Sequence, residues 1–520
     1  MGLGGRGRGL RPLTLMRKPP AIVMSLLAVC VAARVSASDG TLLLSMNAAG
    51  TASGAFGASA VSSISADGRF VTLVGGAADL VNDDTNSGLN DVFLRDLRRG
   101  VTTLVSRNHA GTGSGSYISF GGAISERGNM AAFTSYASDL TALDPGINAN
   151  VYARHLRHEQ TELASINADG TSGGNGNSFV YDPETAISAG GHIVVFQSAA
   201  TDLVSLGTPD QNGAAVDVFA RDVQNGTTRL VSVNLAGTST GNATSRAPQV
   251  SPNGRLVAFQ SDAEDLVLAD GNGATDLFVR DLRAGTTRLV SVNQSGTGGG
   301  NGVSYLGRLG VRGRFLSFNS VATDLVSVPA GGSYTDSYVR DLRKGVTTLV
   351  SSNRNGTGGG DYHSYPAVLD ATGRLAAFES YAFDLTTDGG GPGFLNIYVR
   401  DLTAGTTQLV SVSRTGTRGN GHSVSPRITP DGRFVVFVSA ASDLVSQDTN
   451  GTSDLFVRDL QAGTTRLLST NVAGTDSGNG ETRSFVLSVN GRVIGFTSLA
   501  ENLVPFDANG FQDAFAFRLR

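Results

Sequence analysis

One motif is written eight times between residue 41 and the C-terminus, and a chain built this way folds as a series of like units. The clearest copy starts at Ser423 and runs SVSPRITPDG, RFVVFVSAASDLV, SQDTNGTS, DLFVRDL and QAGTTRLLSTN. Its turn glycine recurs as Gly68, Gly128, Gly191, Gly254, Gly313, Gly373, Gly432 and Gly491. Its arginine recurs as Arg95, Arg154, Arg221, Arg280, Arg340, Arg400, Arg458 and Arg518. A Gly-Thr pair marks each unit too, from Gly50-Thr51 to Gly474-Thr475. The spacing is about 60 residues, with a longer unit between Gly170 and Gly237.

Each unit predicts four strands, a to d. Strand a runs into an Asp-Gly or Asn-Gly turn, as at Asp431-Gly432, a dipeptide that favours tight hairpins because the turn needs positive φ. Strand b is Phe434 to Val438, strand c Leu455 to Leu460, and strand d Thr464 to Ser469, after a turn at Gly463. Strands b and c are apolar on both faces, which suits sheets packed between neighbours. Blades around an axis supply that environment and protect the sheet edges. The ends choose a closed ring over an open array. Residues 41–47 form a strand d with no a, b or c before it, and the chain stops at strand c. The expectation is an all-β, eight-bladed β-propeller over 38–520, four antiparallel strands per blade. The ring closes where 41–54 supply the outer strand of the blade formed by 482–520.

On these residues the repeat resembles a known family. SPNGRLVAFQS (251–261) and TPDGRFVVFVS (429–439) are similar to the WD-like, TolB-like β-propeller repeat. The run DLV, DTNG, DLFVRDL, GTT is similar to a longer version in exported bacterial proteins. The resemblance covers nearly all of 41–520. It implies docking modules, envelope proteins and non-catalytic domains beside peptidases, with a few lyases or hydrolases among relatives.

Residues 1–20 carry basic but no acidic side chains, an apolar run follows from Ala21 to Ala33, and Val35-Ser36-Ala37 ends it. This predicts a secretory signal peptide over 1–37, with Met16 a candidate true start. The apolar run is short for a membrane span, which takes about 20 residues. The only cysteine, Cys30, lies in that run. Bulky Val29 before it argues against lipidation there, so the mature chain is expected to lack disulfides. The expected location is the periplasm or the outside of the cell. Gly is abundant at 69 residues and charge is low at 16%, as many short strands and turns require. A net charge of −4 with interspersed signs speaks against nucleic acid as a partner.

The strand-c pair (Arg95-Asp96, Arg221-Asp222, Arg280-Asp281, Arg340-Asp341, Arg400-Asp401, Arg458-Asp459) is expected to be structural, a buried Arg needing a carboxylate. Each unit but the last carries an earlier Asp (Asp79, Asp139, Asp202, Asp265, Asp324, Asp384, Asp443), with Asn502 in unit eight. A serine opens strand a at Ser59, Ser119, Ser245, Ser304, Ser364 and Ser423, either capping backbone or lining the channel for a small ligand. The six histidines form no metal or hydrolase motif; His363 and His422 are expected exposed on one face. Units two and three break the pattern, with Arg154-His155 and with the insertion carrying Tyr181, Asp182 and Glu184. Drift is the preferred explanation.

Calcium is the candidate cofactor, though none is required. The b–c loops read Asp448, Asn450, Asp454 in unit seven, Asp270, Asn272, Asp276 in unit four and Asp507, Asn509, Asp513 in unit eight. One-residue-longer versions run Asp84…Asp91 and Asp210…Asp217. Spaced oxygen ligands around a bending Gly resemble the first half of an EF-hand loop. Unit five, with Pro-Ala-Gly-Gly, lacks the ligands. With no catalytic constellation and no second domain, the expected function is an exported, non-catalytic module that binds a protein or glycan partner as a monomer. The alternative is a polysaccharide lyase or hydrolase with its site on the face that carries the long b–c and d–a loops.

Overall fold

The computed structural model describes residues 40–519 apart from 56, 87, 206–209, 311, 389–392 and 508. The expected signal peptide and Cys30 lie outside the described residues. Among the described residues, no helix is long and apolar enough to cross a membrane.

The chain forms eight four-stranded antiparallel sheets, the blades of a propeller. In blade 1 strands a to d are Ser59–Ile64, Phe70–Gly75, Asp91–Asp96 and Val101–Leu104. Blades 2 to 7 repeat that order, and each pairs a with b, b with c and c with d. Strands b and c pair over six residues. Facing aromatics stack across that pairing in seven blades, as in Phe259–Phe278 at 5.7 Å and Phe496–Phe515 at 5.3 Å. Both faces of b and c are buried because each core is shared by two blades. Val71 and Leu73 of blade 1, for example, pack with Val486, Val493, Ala514 and Ala516 of blade 8.

One device seats every blade on the one before it, and a second is seen in five of them. The first is the a–b turn. Gly432 has φ +72, and a Cβ there would lie 2.8 Å from Leu375 of blade 6; at Gly373 it would lie 2.1 Å from the Phe315 ring of blade 5. Glycine therefore serves both the turn and the close approach of neighbouring blades. The second is a bulge in strand a, which frees one backbone N–H. That N–H donates to a side chain near the end of strand b in the preceding blade: Val61 to Thr497, Val180 to Thr134, Ala247 to Gln197, Leu306 to Gln260 and Ser425 to Glu379.

The ring closes as expected. Leu42 and Leu43 pair with Ala516 and Phe515 as the outer strand of blade 8. Leu44 N–H donates to the Ala514 carbonyl at 2.7 Å, and Ser45 Oγ donates to Asp513 at 2.5 Å while accepting from Ala514 N–H. Leu43, Leu44 and Met46 are almost fully buried. Deleting 41–54 removes these side chains from the seam, where each large apolar loss costs about 2–5 kcal/mol. The truncated protein should therefore melt well below the full chain in thermal unfolding; an equal midpoint would refute the closure.

Candidate functional site

Glu184 of blade 3 lies against Arg308 Nη2 of blade 5 and 3.5 Å from Arg427 Nη2 of blade 7. Asp182 stands 3.7 Å from Arg308. Blades 3, 5 and 7 are not neighbours, so these ion pairs cross the centre of the ring. Burial works against the Glu184 charge, but Arg308 and Arg427 outweigh it and hold the carboxyl below its ordinary range. Sequence reasoning put this insertion down to drift, and the structure corrects that: it places a carboxylate in the channel between two arginines of other blades. The signal was present in Arg308 and Arg427, strand-a positions that hold Gln249 in blade 4, but their convergence depends on the ring.

Glu379 stands beside the same channel. It occupies the ring position that holds Gln197, Gln260, Thr134 and Thr497 in other blades. Its Oε2 accepts Ser425 N–H at 2.8 Å. Burial raises its carboxyl above the usual glutamate range, with the Ser425 amide and Arg427 opposing. Tyr365, its neighbour on strand a, is 36% exposed, and its phenol is raised by burial and by the nearby Tyr381 and Glu379.

Outward from Glu379 runs a rim of rings on the long-loop face. Tyr334 meets Tyr362 at 4.4 Å, Tyr362 meets Tyr381 at 5.8 Å, Tyr381 meets His422 at 6.1 Å, and Phe394 meets His422 at 5.2 Å. His363 packs edge-on to Tyr334 and Tyr362. Tyr334, Tyr362 and Phe394 are all more than a third exposed. His422 is exposed as expected, while His363 is half-buried. Each Nδ1 accepts a backbone N–H at 3.1 Å, from Thr335 and Leu395. The proton of each neutral ring therefore sits on Nε2, which is a donor. An open depression of about 820 Å³ lies on the opposite, tight-turn face, lined by Arg255, Arg312 and Arg314 among others. Arg255 and Arg314 are already paired with Asp281 and Asp341 there, so the chemistry concentrates at the rim instead.

Other expected residues are placed as follows. The strand-c arginines have no carboxylate partner of the expected kind. Arg95, Arg154, Arg221, Arg280, Arg340, Arg400 and Arg458 donate to a threonine of strand d at 2.8–3.1 Å. The reason is the strand period: adjacent residues point to opposite faces, so Arg and the Asp after it cannot meet. That Asp instead binds the arginine after the a–b turn, as Asp96 does Arg69 and Asp401 does Arg374. The Arg374 hydrogen bond holds Asp401 down to about 2. The earlier Asp ties down the incoming d–a tail, as Asp79 Oδ1 does by accepting Ala55 N–H. The strand-a serines do not line the channel. They are buried, and most bond a serine ending strand b, such as Ser245 with Ser261 at 2.8 Å.

In the aspartate loops the paired carboxyls are buried. Asp448 is 5%, Asp270 9% and Asp507 6% exposed, while the closing Asp454, Asp276 and Asp513 are at most 1% exposed. Asn272, Asn450 and Asn509 are turn residues, not oxygen donors: each Oδ1 accepts the N–H two residues on, and each side-chain amide donates across the loop. Asx turns compete for the oxygen that a ligand role needs. Among the described residues, no three His, Cys, Asp or Glu side chains gather as a metal group.

No family model matches the sequence, and no curated protein matches it. Solved structures of similar fold include dipeptidyl peptidase 4 from Porphyromonas gingivalis, at 14% identity and TM-score 0.49, covering 86% of this chain and 56% of that one. Another is an oligogalacturonate lyase from Vibrio parahaemolyticus, at 12% identity and TM-score 0.44, covering 93% and 96%. TolB from Acinetobacter baumannii has 13% identity and TM-score 0.32, covering 73% and 78%. The chain thus spans about half the length of the peptidase it resembles. At these identities the likeness shows the fold alone. The expectation of a non-catalytic binding or scaffold module is corrected on this finding: similar structures include those of a peptidase and a lyase.

Two outcomes follow. Glu184→Ala leaves two channel arginines facing each other and should cost about 1–3 kcal/mol in denaturant unfolding, the side chains being partly exposed. The second concerns pH. Burial pushes Asp454 up to about 7 and Asp448 up to about 6, and Asp91 and Asp217 up to about 7. The unfolded values lie near 4, so the metal-free fold holds protons that the unfolded chain has shed. Their contribution is fully present below about pH 4 and is lost as pH rises to about 7. In chelator, the melting temperature should fall across that window.

Proposed function

We propose that this chain cleaves polysaccharide, as a lyase or hydrolase working at the long-loop mouth of its channel. The observation that carries the reading is Glu379, a carboxyl raised by burial at a ring position that is an amide or hydroxyl in the blades compared above. A glutamate that keeps its proton to higher pH is suited to protonate a leaving glycosidic oxygen. Glu184, held below its ordinary range beside Arg308 and Arg427, would serve as the complementary carboxylate, since two carboxyls pushed in opposite directions can divide the acid and base roles. The exposed rim of Tyr334, Tyr362, Tyr381, Phe394, His363 and His422 gives flat apolar faces with polar edges, which suit sugar rings. Export by residues 1–37 would bring the protein to such polymers, and membership of the TolB-like, WD-like repeat family belongs to the same reading.

The test is a screen of purified mature protein on acidic and neutral polysaccharides, reading reducing ends and the ultraviolet absorbance of unsaturated products. Turnover is expected on at least one polymer. Glu379→Gln should lower kcat by about 100-fold or more with an unchanged melting curve, since Gln197 and Gln260 already make the same bond to the bulge. No turnover across the panel, or an active Glu379→Gln, would refute the reading.

A further inference from the structure

We propose that the b–c loops of blades 1, 4, 7 and 8 each hold a calcium ion between their two aspartates. In each of these loops one oxygen of the closing aspartate is taken by a serine just after strand d: Ser106 on Asp91, Ser291 on Asp276, Ser469 on Asp454 and Ser45 on Asp513. In blades 4 and 7 the other oxygen accepts the loop asparagine amide, from Asn272 at 2.6 Å and from Asn450 at 2.7 Å. In blade 4 the atoms converge on one point: a Cβ built on Gly299 would lie 2.5 Å from Asn272 Nδ2, 2.8 Å from Asp276 Oδ2 and 3.1 Å from Asp270 Oδ1.

Buried acceptors around these points lack donors. Both oxygens of Asp448, which is 5% exposed, are buried without a hydrogen bond of ordinary geometry, although the Ser477 hydroxyl stands nearby. The same holds for Asp270 Oδ1, Asp507 Oδ1 and Asp513 Oδ2, and in blade 1 for Asp84 Oδ2 and Asp91 Oδ2. Buried acceptors left this way cost free energy unless something positive meets them.

Blades 2, 5 and 6 show what meets them when one aspartate of the pair is replaced. In blade 2 the closing residue is Asn150, whose amide donates to the carbonyls of Pro145 and Asn148 at 3.0 Å. In blade 6 it is Asn396, donating to the Phe394 carbonyl at 3.1 Å. In blade 5 the closing Asp336 remains, but Gly331 N–H donates to its Oδ2 at 2.8 Å. Where the second carboxylate is absent, a protein donor fills the gap. Where both carboxylates are present, the loop asparagine serves the closing aspartate in blades 4 and 7 while an oxygen of the first aspartate keeps no donor, and the carbonyls that Asn150 and Asn396 engage show that loop backbone also turns inward. Carboxylates with carbonyls form a hard, oxygen-only set, which suits calcium. Two carboxylates per loop and no bidentate Glu place affinity at about 0.1–1 mM, the range of extracellular modules.

The experiment is equilibrium dialysis of the chelator-treated mature protein against calcium chloride at neutral pH, with thermal melts in parallel and magnesium chloride as comparison. Saturable binding of more than one and at most four calcium ions per chain is expected, with a melting temperature that rises over millimolar calcium and rises less with magnesium. Asp454→Asn copies the residue of blades 2 and 6. It should lower the calcium stoichiometry by one. Absence of binding and of any calcium-dependent shift in the unmodified protein would overturn the proposal, as would an Asp454→Asn protein that binds as many ions as its parent; the aspartate pairs would then be sharing protons.

Discussion

Every blade of this protein is completed by the blade before it. Strands b and c are apolar on both faces, so a single blade would leave two greasy surfaces in water. The a–b glycine lets the turn settle on the neighbour's strand b, as Gly373 does on Phe315, and the strand-a bulge sends an N–H into a side chain of that neighbour. Neither contact can form until both blades are present. The fold is therefore cooperative around the ring, and the short strand Leu42–Leu43 matters out of proportion to its length because it finishes the last interface.

This dependence also distributes chemistry. The bulge acceptor is structural in most blades, and a change from amide to carboxyl at Glu379 alters the local acid–base character without loss of the bond that seats blade 7. The same frame carries strand-a side chains inward, so Glu184, Arg308 and Arg427 meet although more than a hundred residues separate each arginine from the glutamate in the chain. The long-loop face adds aromatic and imidazole rings whose tautomers are fixed by backbone N–H donors. A rigid ring that presents variable positions to one mouth can acquire a site with few substitutions.

Polar groups inside the frame are mostly matched, which makes the exceptions informative. Seven strand-c arginines each find a threonine, and in five blades the aspartate that follows binds the arginine after its own blade's a–b turn. The aspartate loops depart from this economy. In blades 2, 5 and 6 the closing residue is fully hydrogen-bonded; in blades 1, 4, 7 and 8 a buried carboxylate oxygen keeps no donor. Repetition makes the comparison internal, with neighbouring blades serving as controls for one another.

The sequence by itself determined the blade count, the four-strand order, the tight a–b turns and the joining of the two ends, because turn residues and alternation of side chains act over a few residues and are repeated eight times. It also marked the aspartate loops, whose spacing is local. The tertiary structure alone decided the partners of charged groups. Arg95 and Asp96 adjoin in the chain and yet point apart, since successive side chains on a strand face opposite ways. Glu184 looked like drift until the ring brought two distant arginines to it, and Glu379 looked like one more strand-b residue until burial beside the channel raised its carboxyl. Long-range electrostatics depend on distance and desolvation in the folded ring, and neither quantity is written along the chain.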